Sequence, residues 1–209
     1  MTGVQTCALP ISVDGDKILY LLARRLKDKG ALDNNTVVAT VMSNKGLLNA
    51  LDKLNIKYEC TSVGDRYVYE RMQQMGYSLG GEQSGHVIIK KYATTGDGLL
   101  TALMVLEEMA DKKSSLSKLV KSVKLYPQMQ KNIPVQDKDA VVSDPDVTEA
   151  FERAKAELGE RGRLMLRKSG TESVVRIMAE CEDGELCRRY IKIISDAIKR
   201  KGYANAKDA

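Results

Sequence analysis

Leu79-Gly80-Gly81-Glu82-Gln83-Ser84-Gly85-His86-Val87 places three glycines around a carboxylate, an amide, a hydroxyl and an imidazole, and the apolar run Val87-Ile88-Ile89 comes directly after. That order reads as a loop feeding a strand. Glycine lets a backbone approach a ligand closely, so the loop can turn Glu82, Ser84 and His86 toward one small polar molecule. Acceptors and donors mixed in this way suit sugar hydroxyls. His86 is the only histidine in 209 residues, and a lone histidine is commonly structural, so the loop gains meaning only beside a second signal.

That signal is another loop, Arg167-Lys168-Ser169-Gly170-Thr171-Glu172. Arg167 offers a fixed fork of donors, Ser169 and Thr171 offer hydroxyls, and Gly170 leaves its N–H unshielded. Together they make a nest for a tetrahedral dianion. Arg176, on the strand expected next, is placed to close over the same anion. Taken alone the motif is also an ordinary hairpin with a surface arginine. A sugar reader and a phosphate reader on one chain are more telling than either.

Outward from these loops the pattern is α/β. Val37-Val38-Ala39-Thr40-Val41-Met42 is a continuous apolar run suited to a strand buried on both faces. Ser43-Asn44 can cap a helix carrying Leu47, Leu48, Leu51 and Leu54. A second strand is expected from Ile56 to Thr61, then a helix from Gly64-Asp65-Arg66 to Gly76 with Tyr67, Val68 and Met72 inward. Past the glycine loop and a strand at 86–90, Thr95-Gly96-Asp97 leads into an apolar helix with Leu99, Leu100, Leu103, Met104, Leu106 and Met109. A short helix comes next at about 115–124, and Tyr126-Pro127 breaks the pattern. The remainder reads as a strand at 128–136, a helix at 146–158, strands at 163–168 and 174–181 and a helix at 184–201. An antiparallel sheet with helices on one face accommodates these elements. The polar tail after Gly202 is expected to fray.

Upstream, Ile18, Leu19, Leu21, Leu22 and Leu26 recur at helical spacing behind Asp14-Gly15-Asp16. The two carboxylates suggest either a hard-cation site or a helix cap, and an Asp before an apolar periodic run favours the cap. Residues 1–12 share no periodicity with the rest of the chain. They resemble the translation of a sequencing adapter and are read as an artefact, disordered and foreign to the fold.

Composition excludes several classes. The chain is 43% hydrophobic and 29% charged with a net charge of +5. It has no apolar run long enough for a bilayer and no basic stripe interleaved with aromatics. No membrane or nucleic-acid partner is expected, and anionic small substrates account for the modest positive charge. Cys60, Cys181 and Cys187 have no CxxC spacing, which suits reduced thiols in a cytoplasmic protein.

The segments Gly81-Glu82-Gln83-Ser84-Gly85-His86 and Arg167-x-Ser169-Gly170-Thr171-Glu172 resemble the sugar-binding and phosphate-binding loops of the α-D-phosphohexomutases, specifically the bacterial branch acting on glucosamine phosphates. Val41-Met42-Ser43-Asn44, Val63-Gly64-Asp65-Arg66-Tyr67-Val68 and Thr94-Thr95-Gly96-Asp97-Gly98-Leu99-Leu100 are similar to segments of the same family, in the same order. The family loop usually carries proline where Lys168 and Ser173 stand. The resemblance implies a remnant of a second, mixed α/β domain at 13–35, a complete α/β sugar-binding third domain at 36–125 and an α+β phosphate-binding fourth domain at 126–209. It also implies interconversion of glucosamine 6-phosphate and glucosamine 1-phosphate through a phosphoserine, a hexosamine 1,6-bisphosphate and Mg²⁺. In this reading the serine and the metal loop lie upstream of Val13 and the isolated chain binds without catalysing. Glu82, Ser84 and His86 meet the sugar, with His86 a candidate for proton transfer. Arg167, Ser169, Gly170, Thr171 and Arg176 meet the phosphate. Gln83 favours glucosamine over the mannose and glucose phosphates, and a non-catalytic phosphosugar-binding module is the alternative of another class. The oligomeric state is left open.

Overall fold

The computed structural model describes residues 13–204. The reading of residues 1–12 falls outside the described residues. Two compact units divide between Leu125 and Tyr126.

The first unit is built on a four-stranded sheet. Its strands are β1 (Thr36–Thr40), β2 (Lys57–Thr61), β3 (Leu79–Gly81) and β4 (Val87–Ile89), in the order β2-β1-β3-β4. β1 runs parallel to both β2 and β3, while β4 returns antiparallel to β3. Successive side chains of a strand point to opposite faces, so β1 feeds two layers. Val37 joins a large cluster with helix α1 (Gly15–Asp28), helix α2 (Lys45–Lys53) and helix α4 (Gly98–Asp111), whereas Val38 joins a smaller one with Val68 and Met72 of helix α3 (Asp65–Met75). The apolar run at 37–39 is buried on both faces because helices cover both.

The family resemblance assigns residues 13–35 to the end of a preceding domain. In the structure Leu19, Leu22 and Leu26 pack in the same core as Val37 and Leu79, so α1 is a working helix of this unit. Asp14 is its N-cap, accepting from the Lys17 backbone N–H at 3.1 Å. The expected helix at 115–124 is reduced to α5 (Leu116–Leu119), with Val120 and Val123 still buried beyond it. On α4, Met104 fills the core, yet Leu99, Leu103 and Leu106 are 73%, 57% and 58% exposed. The helix is apolar on two sides and only one faces the sheet. Tyr67, expected inward, is half exposed because α3 turns Val68 and Met72 to the core instead.

One charged group lies inside the helical layer. The Arg25 guanidinium of α1 is buried and donates to Glu108 Oε2 at 2.6 Å and Asp111 Oδ2 at 2.8 Å, with Glu107 at 2.7 Å, all on α4. Burial works against its charge, but the hydrogen bonds to Glu108 and Asp111 outweigh it, and its pKa stands above the ordinary arginine value.

The second unit carries three antiparallel strands, β5 (Gln128–Pro134), β6 (Gly162–Lys168) and β7 (Val174–Cys181), in the order β5-β7-β6. Helices α7 (Pro145–Leu158) and α8 (Gly184–Arg200) bury Val147, Ala154, Tyr190 and Ile194 against Val175, Ile177 and Ala179. A further helix, α6 (Lys138–Ser143), is absent from the sequence-based expectation. The tail does not fray at once: the Tyr203 hydroxyl donates to Asp144 Oδ2 at 3.0 Å and Ala204 bridges Val135. Cys60, Cys181 and Cys187 are in no disulfide. Burial, with Cys187 alongside, pushes the Cys181 thiol up to about 12. No helix among the described residues is long and apolar enough to cross a membrane.

Two outcomes are expected. Arg25→Met strips Glu108 of its main partner and lowers the unfolding free energy by about 3–5 kcal/mol, measured by urea titration. Adding Glu108→Leu recovers most of that loss, since the buried carboxylate goes too. The second concerns acid. The Arg71 guanidinium, with the Tyr77 hydroxyl, holds the Glu59 carboxyl below its ordinary 4.5. A folded-state pKa below the unfolded one contributes stability that is present above the unfolded value and lost as pH falls through the folded value. The wild-type urea midpoint should therefore hold level down to roughly pH 5 and fall below it, with a shallower fall in Glu59→Gln.

Candidate functional site

Because β1, β2 and β3 are parallel, their carboxyl ends share one edge of the sheet, where open α/β sheets place ligand-binding loops. Each strand delivers one of the motifs there. β1 leads to Ser43-Asn44, β2 to Val63-Gly64-Asp65 and β3 to Glu82-Gln83-Ser84-Gly85-His86. The β3–β4 hairpin closes with the Glu82 N–H donating to the His86 carbonyl at 2.9 Å and the Gly85 N–H to the Glu82 carbonyl at 3.0 Å. Ser84, Gly85 and His86 are exposed at its tip, and Glu82 is half-buried.

The other motifs brace this hairpin. Glu82 Oε1 accepts from the Gly64 N–H at 3.0 Å, which fixes the carboxylate from the start of α3. The Gln83 carbonyl accepts from the Gly15 N–H at 3.0 Å. Gly96 passes against His86, where a Cβ would stand 3.3 Å from the imidazole Cδ2. Asp16 Oδ2 accepts from the Asn44 N–H at 2.7 Å, joining α1 to the β1 loop. Ser84 Oγ and His86 Nδ1 stand 3.5 Å apart, at the outer limit of a hydrogen bond. The result is an exposed imidazole and hydroxyl beside a held carboxylate.

In the second unit the phosphate motif is the β6–β7 turn. Arg167 and Arg176 are cross-strand partners, so two guanidinium side chains leave the same face of the sheet from directly opposed positions. Like charges placed so are unfavourable, and an anion between them removes the penalty. Arg176 pairs with Glu172, yet its Nε is buried with no partner among the described residues. The Arg167 side chain carries no hydrogen bond or ion pair among the described residues. Gly170 and Thr171 are exposed. Ser169 is buried, and its Oγ accepts from the Glu172 N–H at 3.3 Å. Its oxygen thereby closes the turn, while its O–H remains a donor beside those of Gly170 and Thr171.

Sequence reasoning missed one contributor. Lys138, at the start of α6, donates through Nζ to the Ser169 carbonyl at 2.8 Å and the Glu172 carbonyl at 3.0 Å, and Lys168 pairs with Asp139 of the same helix. These ties hold the turn from the side of α6. Asp137 ahead of Ala140-Val141-Val142 is a cap signal that would have revealed the helix, since Asp137 Oδ1 accepts from the Asp139 and Ala140 N–H groups.

The two carboxylates at the start of α1 take part in the fold. Asp14 is spent on capping α1 and Asp16 accepts from Asn44. Among the described residues no group of three or more His, Cys, Asp or Glu stands close enough to hold an ion.

Comparison with known proteins gives a consistent assignment. Residues 14–126 match the family model described as phosphoglucomutase/phosphomannomutase, alpha/beta/alpha domain III, and residues 131–197 match that of the C-terminal domain. The chain is 50% identical over 194 residues to the phosphoglucosamine mutase of Lachnoclostridium phytofermentans, covering 93% of this chain and 43% of that protein. It is 51% identical over 192 residues to the phosphoglucosamine mutase of Lachnospira eligens, covering 92% and 43%. Among solved structures, N-acetylphosphoglucosamine mutase of Aspergillus fumigatus in complex with glucose 1,6-bisphosphate superposes with a TM-score of 0.75 at 19% identity, over 91% of this chain and 44% of that one. A second structure of that enzyme, with GlcNAc-6P and magnesium, gives 0.73 at 19% identity, over 88% and 46%. The chain spans less than half the length of the relatives it matches. On the two matched domains, the chain belongs to the phosphoglucomutase/phosphomannomutase family, as a part comprising domain III and the C-terminal domain.

Proposed function

We propose that this chain carries the sugar-reading and phosphate-reading loops of a phosphoglucosamine mutase, an intramolecular phosphotransferase that interconverts glucosamine 6-phosphate and glucosamine 1-phosphate. The observation that supports this most is the opposition of Arg167 and Arg176 across β6 and β7, with Arg167 unpaired among the described residues. A dianionic phosphoryl group satisfies both. Glu82 and Ser84 take sugar hydroxyls, and His86 either donates a hydrogen bond or moves a proton at a ring hydroxyl.

In the proposed cycle a phosphoserine transfers its phosphoryl group to the C1 oxygen of glucosamine 6-phosphate, whose proton leaves, giving the 1,6-bisphosphate. After the sugar reorients, the C6 phosphoryl group returns to the serine and glucosamine 1-phosphate departs. Arg167 and the Ser169–Thr171 backbone thus receive either phosphate in turn. The serine, and the ligands of a Mg²⁺ ion, are proposed to lie in the part of the relatives' length that this chain does not span. Hexosamine 1,6-bisphosphate is the proposed activator. The proposed compartment is the cytoplasm, where thiols such as Cys181 stay reduced.

The test joins residues 13–209 to the upstream domains of the Lachnoclostridium relative and assays both directions with Mg²⁺ and a trace of bisphosphate. Turnover of glucosamine phosphate above that of glucose and mannose phosphates is expected. Arg167→Ala in the same fusion should lower kcat/KM about 10- to 150-fold, the loss of ~1.5–3 kcal/mol of charge-assisted hydrogen bonding. Preference for mannose phosphate would overturn the substrate. A folded, serine-phosphorylated fusion without turnover would favour a binding module.

A further inference from the structure

The start of α1 lies against the sugar-reading hairpin more closely than any side chain permits. A Cβ built on Gly15 would stand 2.1 Å from the Glu82 carbonyl oxygen, 2.7 Å from the Gly85 nitrogen and 2.8 Å from the Gln83 carbonyl oxygen. All three are backbone atoms, so no flexible side chain can swing away. The Gly15 N–H donates to the Gln83 carbonyl at 3.0 Å, so the contact is bonded as well as close.

We infer that Gly15 is a positioning residue for sugar recognition: the first turn of α1 sets where the hairpin holds Glu82, Ser84 and His86. The inference rests on the reading of this hairpin as the sugar loop. Helix and hairpin differ in how firmly each is held. α1 is fixed along its length by Leu19, Leu21 and Leu22, all fully buried, and at its far end by Arg25 on α4. The hairpin tip is exposed, and its few ties include Glu82 Oε1 to the Gly64 N–H. A side chain at position 15 therefore moves the hairpin and not the helix, and the displacement draws the Glu82 carboxylate away from Gly64. Misplacement of about 1 Å costs up to 10²-fold in a site that reads geometry.

The phosphate turn belongs to the other compact unit and supplies an internal reference. The experiment tracks backbone amides of this chain by ¹H–¹⁵N NMR while glucosamine 6-phosphate or inorganic phosphate is added, in the wild type, Gly15→Ala, Asp14→Ala and Leu26→Ala. In the wild type, glucosamine 6-phosphate should shift the Gly81, Gly85 and His86 amides, and inorganic phosphate the Gly170 amide. Gly15→Ala should weaken the sugar response at least about tenfold and leave the Gly170 response to inorganic phosphate within twofold. Asp14→Ala, which loosens the first turn without adding a Cβ at position 15, should weaken the sugar response in part, and it decides the matter if Gly15→Ala does not fold. Leu26→Ala lowers stability from the far end of α1 and should keep the full sugar response. Hairpin shifts in both Gly15→Ala and Asp14→Ala equal to those of the wild type overturn the inference. So does loss in Leu26→Ala to the same degree, because that would mark a stability effect. A wild type whose hairpin ignores glucosamine 6-phosphate while Gly170 answers to phosphate would instead overturn the sugar reading beneath it.

Discussion

The buried contact of Arg25 with Glu108 is the constraint on which the first unit depends. A guanidinium inside a helical layer is tolerated only where carboxylates meet it with good geometry, and Glu107, Glu108 and Asp111 do so from successive turns of α4. The pairing fixes α1 in its axial position as well as its rotation. An apolar stripe alone leaves a helix room to slide by a fraction of a turn; a forked donor among three carboxylates does not. With α1 fixed, Gly15 reaches the hairpin at contact distance, and Asp16 reaches Asn44. Packing chemistry at one end of a helix thus becomes recognition geometry at the other.

The two units prepare for their ligands by different means. In the first, parallel strands bring separate loops to one edge, and backbone N–H groups, not side chains, do most of the holding: Gly64 on Glu82, Gly15 on Gln83. In the second, a sheet keeps an electrostatic imbalance in place. Arg167 and Arg176 oppose each other in register, and Glu172 offsets the pair from within. Lys138 and Lys168, tied to carbonyl groups and to Asp139, stiffen the turn without entering it.

Much of this is legible in the chain because its signals are local. The double-sided run Val37–Ala39, the Gly76 stop and the turn between β6 and β7 are short-range patterns, and they fold as read. The hairpin hydroxyl, carboxylate and imidazole likewise sit on one turn. The features that escape a linear reading depend on contacts distant in sequence. Leu79-Gly80-Gly81 looks like loop, yet it is a buried strand, and Gly80 is required there because Met72 and Val68 crowd the position a Cβ would take. α4 reads as wholly buried, although its second apolar side faces outward. The sequence does not show that Ser169 is buried with its Oγ accepting from the Glu172 N–H. Nothing in the sequence shows that Gly15 meets the hairpin at Gln83 or that Asp16 meets Asn44.

The clasp at residues 203 and 204 bears on how the chain is made. The first unit has all its strands and helices in hand by Leu125. It can close while later residues are still being added, in keeping with the general order in which domains fold during synthesis. The second unit receives contacts from further along. Its helix cap at Asp144 is met by Tyr203, and its first strand is extended by Ala204 pairing with Val135. The start of α7 and the end of β5 thus gain a partner only once α8 has been made, whereas the phosphate turn has its own partners, in β7 and α6, before that helix begins.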